Sequence, residues 1–139
     1  MKKLLLAAMF AATAFNAAAA EKISFGVSAT YPPFESMDAN NQIVGFDLDL
    51  AKALCKQMQA DCTFTNHAFD SLIPALKFKK YDAVISGMDI TPERSKQVAF
   101  TDPYYANSAL VIAKKDAFHS FADLKGKRIG MENGTTHQK

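Results

Sequence analysis

The sequence predicts an α/β fold built on a mostly parallel sheet, and three features predict it. Short apolar segments at 22–28, 62–65 and 83–85 alternate with helical patterns at 47–58 and from Asp70 onward. Ala83-Val84-Ile85 is an unbroken apolar run, as a strand covered on both faces requires. Polar residues gather directly after the strands, at the carboxyl ends where open α/β sheets hold ligands.

The elements follow in order. Residues 1–20 read as a secretory leader: Met1-Lys2-Lys3 is a positive start, Leu4 to Phe15 an apolar stretch, and Ala18-Ala19-Ala20 a small-residue cleavage site. The chain has 16 Lys+Arg and 14 Asp+Glu, so loss of Lys2 and Lys3 leaves 14 of each. A balanced domain gives no electrostatic footprint for nucleic acid or an anionic membrane. The apolar and small residues of 22–28 form the first strand. The loop 29–35 carries Pro32 and Pro33, which remove donors and stiffen it so that it displays aromatics; Tyr31 there could be core or face a ligand, and by itself reads as core. A polar turn at 38–42 joins two short strands. Helix 47–58 shows Phe46, Leu50, Leu54 and Met58 every four residues, with Ala51 and Cys55 beside them. Asp47 and Asp49 suit the positive end of its dipole. Strand 62–65 precedes a helix capped by Asp70 or Ser71, with Pro74 early enough to be tolerated and Lys77, Lys79 and Lys80 at its solvated end.

Residues 81–94 hold the most informative chemistry. The strand ends at Ser86-Gly87, where the backbone can come close to a ligand, and Asp89, Thr91 and Arg94 follow. Arg94 is suited to a two-pronged grip on a carboxylate, Asp89 to an ammonium, and a carbonyl lies near Gly87. These are the needs of a zwitterion. The residues alone leave a second reading open, with Arg94 and Glu93 a solvated ion pair and Asp89 a turn or cap residue. Beyond this stretch, 96–100 is expected as a short strand, 104–114 as a long extended segment, 120–125 as a short helix and 128–130 as a strand. The last ends in a turn, Glu132-Asn133-Gly134-Thr135-Thr136-His137, whose hydroxyls and amides suit a carboxylate.

Cys55 and Cys62 are the only cysteines. In an exported chain a disulfide is the default, here from a helix end to the next strand. No Cys or His pair has metal-ligand spacing, His67, His119 and His137 are scattered, and no cofactor or phosphate-cradling motif is present.

Taken together, several motifs resemble the periplasmic solute-binding proteins of ABC importers for polar amino acids, most of all the arginine-binding branch. They are Thr30-Tyr31-Pro32-Pro33-Phe34, Gly45-Phe46-Asp47-Leu48-Asp49-Leu50, Phe69-Asp70-Ser71-Leu72-Ile73-Pro74, Asp82-Ala83-Val84-Ile85-Ser86-Gly87, Ile90-Thr91-Pro92-Glu93-Arg94 and Phe100-Thr101-Asp102-Pro103-Tyr104-Tyr105. The resemblance implies a two-lobed, type II periplasmic-binding-protein-like fold. The first lobe takes 21–110, and 111–139 is a hinge crossover and the start of the second lobe. It implies that the chain is a C-terminally truncated part of that fold. It also implies capture of a basic amino acid, arginine first, in the periplasm, and delivery to an inner-membrane permease by a monomer. By the same resemblance, Arg94 grips the ligand carboxylate with help from Thr135 and Thr136. Ser86, Gly87 and Asp89 receive the ammonium, and Tyr31 and Phe69 sandwich the side chain. Cys55 and Cys62 match a disulfide of the basic-amino-acid members. Ser28, where some relatives have an acid, and His137, where several have glutamine, depart from the pattern. Glu132 is the candidate acid for a cationic tail. The rival readings are a dehydratase-like enzyme, for which Asp89, Glu132 and His137 are the only acid–base candidates, and a ligand-sensing domain.

Overall fold

The structure is a computed structural model that describes residues 20–138. The leader expected at 1–20 lies, but for Ala20, outside the described residues. In chain order β1 (Lys22–Val27) is followed by β2 (Thr30–Tyr31), β3 (Glu35–Met37) and β4 (Ile43–Val44), then α1 (Phe46–Met58) and β5 (Asp61–Asn66). A 3-10 turn, Phe69–Ser71, runs into α2 (Leu72–Lys77), and β6 (Ala83–Val84) and α3 (Pro92–Ser95) come next. Two further 3-10 turns, Phe121–Leu124 and Thr136–Gln138, complete the described elements.

The main sheet has the order β5-β1-β6, all parallel, with β1 in the middle. Lys22 to Val27 pair along their whole length with Asp61 to Asn66, while Phe25 and Gly26 pair with Ala83 and Val84. The chain therefore winds to one side of β1 through α1 and to the other through α2. The short strands β2, β3 and β4 form a separate antiparallel meander around the 38–42 turn.

Both faces of the sheet are covered, which is why β6 is apolar throughout. On one face Phe25, Val27 and Ile85 pack with Leu48, Ala51 and Cys55 of α1, and Ala83 joins them. On the other, Val84 packs against Leu72, Ala75 and Tyr81. The Cys55–Cys62 disulfide is present and ties the last turn of α1 to β5, with the Cα atoms 6.2 Å apart.

Three kinds of expectation need correction. The buried stripe of α1 is Leu48, Ala51 and Cys55, with Asp47, whereas Phe46, Leu54 and Met58 are about half exposed. A four-residue spacing drifts by about 40° per step around a helix of 3.6 residues per turn, so that row winds off the core face. Residues 96–100, 104–114 and 128–130 are not strands. Extended backbone becomes a strand only when a neighbour supplies a ladder, and among the described residues no ladder reaches these segments. The start of α3 is capped not by Asp89 but by Thr91, whose Oγ1 accepts the Arg94 N–H at 3.2 Å.

Candidate functional site

All three strands of the main sheet send their following loops to the same end of the sheet. Ser28 and Thr30 follow β1, Phe69 follows β5, and Ser86, Gly87 and Asp89 follow β6. Parallel strands separated by helices place their carboxyl ends together, and winding in opposite directions from β1 opens a crevice there. Together with Tyr31, Glu35, Arg94 and the 132–137 turn, these residues line a cavity of about 270 Å³. Its wall includes every residue nominated from the sequence: Tyr31, Phe69, Ser86, Gly87, Asp89, Arg94, Glu132, Thr135 and Thr136. Ser28, Thr30, Asn107 and His137 line it too. A larger, mostly apolar trough of about 700 Å³ lies alongside, shares Tyr31, Ser86, Gly87, Asp89 and Asn107, and does not include Arg94.

Arg94 is half-buried and firmly held. Pro92 opens the single turn of α3, and the guanidinium turns back toward the sheet. Its Nη1 donates to the Asp89 carbonyl at 2.7 Å and its Nη2 to the Gly134 carbonyl at 2.9 Å. Its Cζ lies 5.5 Å from the centre of the Phe69 ring, within cation–π range. The two hydrogen bonds use two of the five N–H donors of a guanidinium, so the group is oriented while retaining donors for an anion. The sequence left a solvated pair with Glu93 open, but these bonds aim the guanidinium at the cavity wall.

The polar turn from the C-terminal side is fastened onto this end of the sheet. Thr136 Oγ1 donates to Asp89 Oδ2 at 2.6 Å, and Thr30 Oγ1 donates to Glu132 Oε1 at 2.7 Å. Asn133 donates to the Asp70 carboxylate, and Thr135 Oγ1 donates to the Glu132 carbonyl at 2.8 Å. The hydroxyls of Thr135 and Thr136 are thus both engaged within the protein. The aromatic walls differ. Tyr31 is 40 % exposed and stacks one face on Phe34 at 5.2 Å, whereas Phe69 has the Arg94 guanidinium over its ring.

The Ser86–Gly87 turn rests on two acids that the sequence reading did not place at the site. Ser86 Oγ accepts the Ser28 N–H at 2.9 Å and donates to Glu35 Oε1 at 2.7 Å. The Gly87 N–H donates to Asp47 Oδ2 at 2.9 Å, and the Tyr104 hydroxyl donates to the same oxygen at 3.0 Å. Gly87 has φ +46°, and a Cβ there would stand 3.3 Å from the Tyr31 ring. Glu35 and Asp47 are 1 % and 0 % exposed. Burial pushes the Glu35 carboxyl up to about 8. The adjacent Asp47 carboxyl and the negative charge of Glu132 act the same way, and the Ser86 hydroxyl opposes them. Burial and the Asp47 charge likewise raise the Tyr104 phenol. One signal was available: each acid directly follows a phenylalanine inside an apolar motif, Pro33-Phe34-Glu35 and Gly45-Phe46-Asp47.

Comparison with known proteins agrees with this architecture. Residues 23–134 match the family described as bacterial extracellular solute-binding proteins, family 3. Over all 139 residues the chain is 83 % identical to ABC transporter arginine-binding protein 1 of Escherichia coli K12, covering 57 % of that protein. It is 49 % identical over 145 aligned residues to the histidine-binding periplasmic protein of Salmonella typhimurium LT2, covering 99 % of this chain and 56 % of the relative. A Salmonella typhimurium periplasmic binding protein solved to explain its high arginine specificity superposes with a TM-score of 0.83 at 63 % identity, over 86 % of this chain and 54 % of that one. The chain thus spans a little over half the length of these relatives. The parallel sheet, the crevice at its carboxyl end and the match across 23–134 together place the chain in the bacterial extracellular solute-binding proteins, family 3.

Proposed function

We propose that this chain supplies the first-lobe wall of a site that captures a basic L-amino acid, arginine first. Residues 21–110 make that lobe, and 111–139 the crossover and the beginning of the second. In the complete protein, ligand bridging the lobes favours the closed state by its extra contacts there, and the closed form delivers the amino acid from the periplasm to an inner-membrane ABC permease. The observation that carries the reading is the meeting of the Arg94 guanidinium, the Phe69 and Tyr31 rings and the acids Asp89 and Glu132 on one cavity of about 270 Å³. An α-carboxylate fits the remaining donors of Arg94. A planar, weakly hydrated guanidinium tail fits an aromatic wall. The arginine specificity stated for the Salmonella structure and the arginine-binding Escherichia coli relative support arginine over other cations.

The role is binding without turnover. The relatives named above are binding proteins, and Asp89 and Glu132 are engaged by Thr136 and Thr30 rather than by each other. A prephenate-like carboxylate incubated with the protein should be recovered unchanged, and any product would favour the dehydratase alternative. Calorimetry with L-arginine tests the site itself. Arg94→Ala should weaken binding by at least about a hundredfold, because a desolvated charge-assisted pair is lost. Wild-type affinity in that variant would falsify the assignment.

A further inference from the structure

We propose that Glu35 and Asp47 are positioning residues for this pocket: the two buried acids share one proton, and together they hold the Ser86–Gly87 turn in its binding geometry. The inference rests on the capture reading above. Its geometric basis is the division of labour around the turn. Glu35 Oε1 takes the Ser86 hydroxyl, and Asp47 Oδ2 takes the Gly87 N–H and the Tyr104 hydroxyl. The opposite oxygens, Glu35 Oε2 and Asp47 Oδ1, are buried and have no hydrogen-bond partner. Two buried carboxylates whose inner oxygens have no partner are costly, and like charges in contact do not both ionise. One proton carried by Glu35 and donated to Asp47 partners both orphaned oxygens at once. The upward displacement of the Glu35 carboxyl to about 8 accords with that proton being present at neutral pH.

The groups facing the pair are consistent with this. Asp47 comes from α1, Ser86 from the turn after β6, Glu132 from the polar turn, Tyr31 from the strand paired with β3, and Tyr104 through Asp47. None of them is a cation. Loss of the shared proton leaves two adjacent anions behind the Ser86–Gly87 turn. Their repulsion loosens the wall that receives the ligand's ammonium end. Glu35 and Asp47 act through Ser86 and Gly87.

The test is the dissociation constant for L-arginine, measured by calorimetry from about pH 6 to about pH 9 on the wild type, Glu35→Gln and Arg94→Ala. Glutamine keeps an oxygen for the Ser86 hydroxyl and a permanent N–H for Asp47, so it imitates the protonated acid. The wild type should lose about tenfold in affinity relative to Glu35→Gln between about pH 7 and about pH 9. Titration of the ligand's own ammonium is common to both and cancels. Parallel profiles, or a wild type that gains on the variant, overturn the proposal while loss of binding in Arg94→Ala leaves the pocket reading standing. Wild-type affinity in Arg94→Ala overturns the pocket reading and this proposal with it. Should Glu35→Gln fail to fold, infrared spectroscopy of the wild type decides. A carboxylic-acid C=O band should be present at about pH 7 and gone by about pH 9.5, and its absence at the lower pH overturns the proposal.

Discussion

At the scale of single residues, the pocket is asymmetric in charge. The Arg94 guanidinium shares the cavity wall with the acids Glu35, Asp89 and Glu132, so on the capture proposal an incoming zwitterion meets a partner for its carboxylate and an excess of negative charge elsewhere. On the same proposal, Glu132 is the acid that tells a cationic tail from a neutral one. Its carboxylate is exposed and accepts the Thr30 hydroxyl at 2.7 Å, so its effect is that of a partly screened charge. Citrulline has the shape of arginine without the charge and isolates this term. Glu132→Gln should weaken arginine by about three- to tenfold and leave citrulline nearly unchanged. Equal losses for both ligands would mean that Glu132 shapes the turn rather than reading charge.

At the scale of elements, the central strand carries the tightest constraint. A Cβ on Gly26 would sit 2.3 Å from Tyr81 Cζ, and the Tyr81 hydroxyl is anchored on the Leu72 carbonyl at 2.7 Å. β1, Tyr81 and α2 therefore interlock, and the ring has nowhere to retreat. Gly26→Ala should cost about 1–3 kcal/mol, read from the midpoint of urea unfolding, and an unchanged midpoint would show that α2 moves freely. The order β1, α1, β5, α2, β6 is legible in the sequence because apolar runs and helical spacing report burial directly. The segments 96–100, 104–114 and 128–130 are not legible in the same way, since an apolar extended stretch does not state which neighbour will pair with it. The loop residues that line the cavity were legible because they sit in compact motifs after strands. Asp47 was missed because a helix-dipole role fully accounts for an acid at a helix start, and Glu35 because it closes a proline-stiffened loop whose aromatics alone stand out in the sequence. Only the fold reveals that Asp47 points inward and meets Glu35 across the meander.

For the whole molecule, the buried pair makes stability depend on pH in the direction opposite to ordinary salt-bridged acids. The carboxyls of Asp82, held low by the Ser24 hydroxyl and N–H, and of Asp123, held low by the His119 and Ser120 N–H groups, favour the folded state once ionised. Both lie below the ordinary Asp value, so their contribution is lost only in acid. Glu35 behaves in reverse, rising from an ordinary 4.5 to about 8. Between those values the folded chain binds a proton that the unfolded chain has released. Stability is therefore greatest below the lower value, falls as pH rises through the window, and levels off above the upper one. The slope for one proton is on the order of 1 kcal/mol per pH unit. Thermal unfolding of the wild type and Glu35→Gln in parallel buffers from about pH 5 to about pH 9 isolates it, because every other titration is common to both. The advantage of the wild type over the variant should shrink steadily with pH and then stay constant. A difference in melting temperature that does not change with pH would show that Glu35 is ionised throughout and would overturn the shared proton.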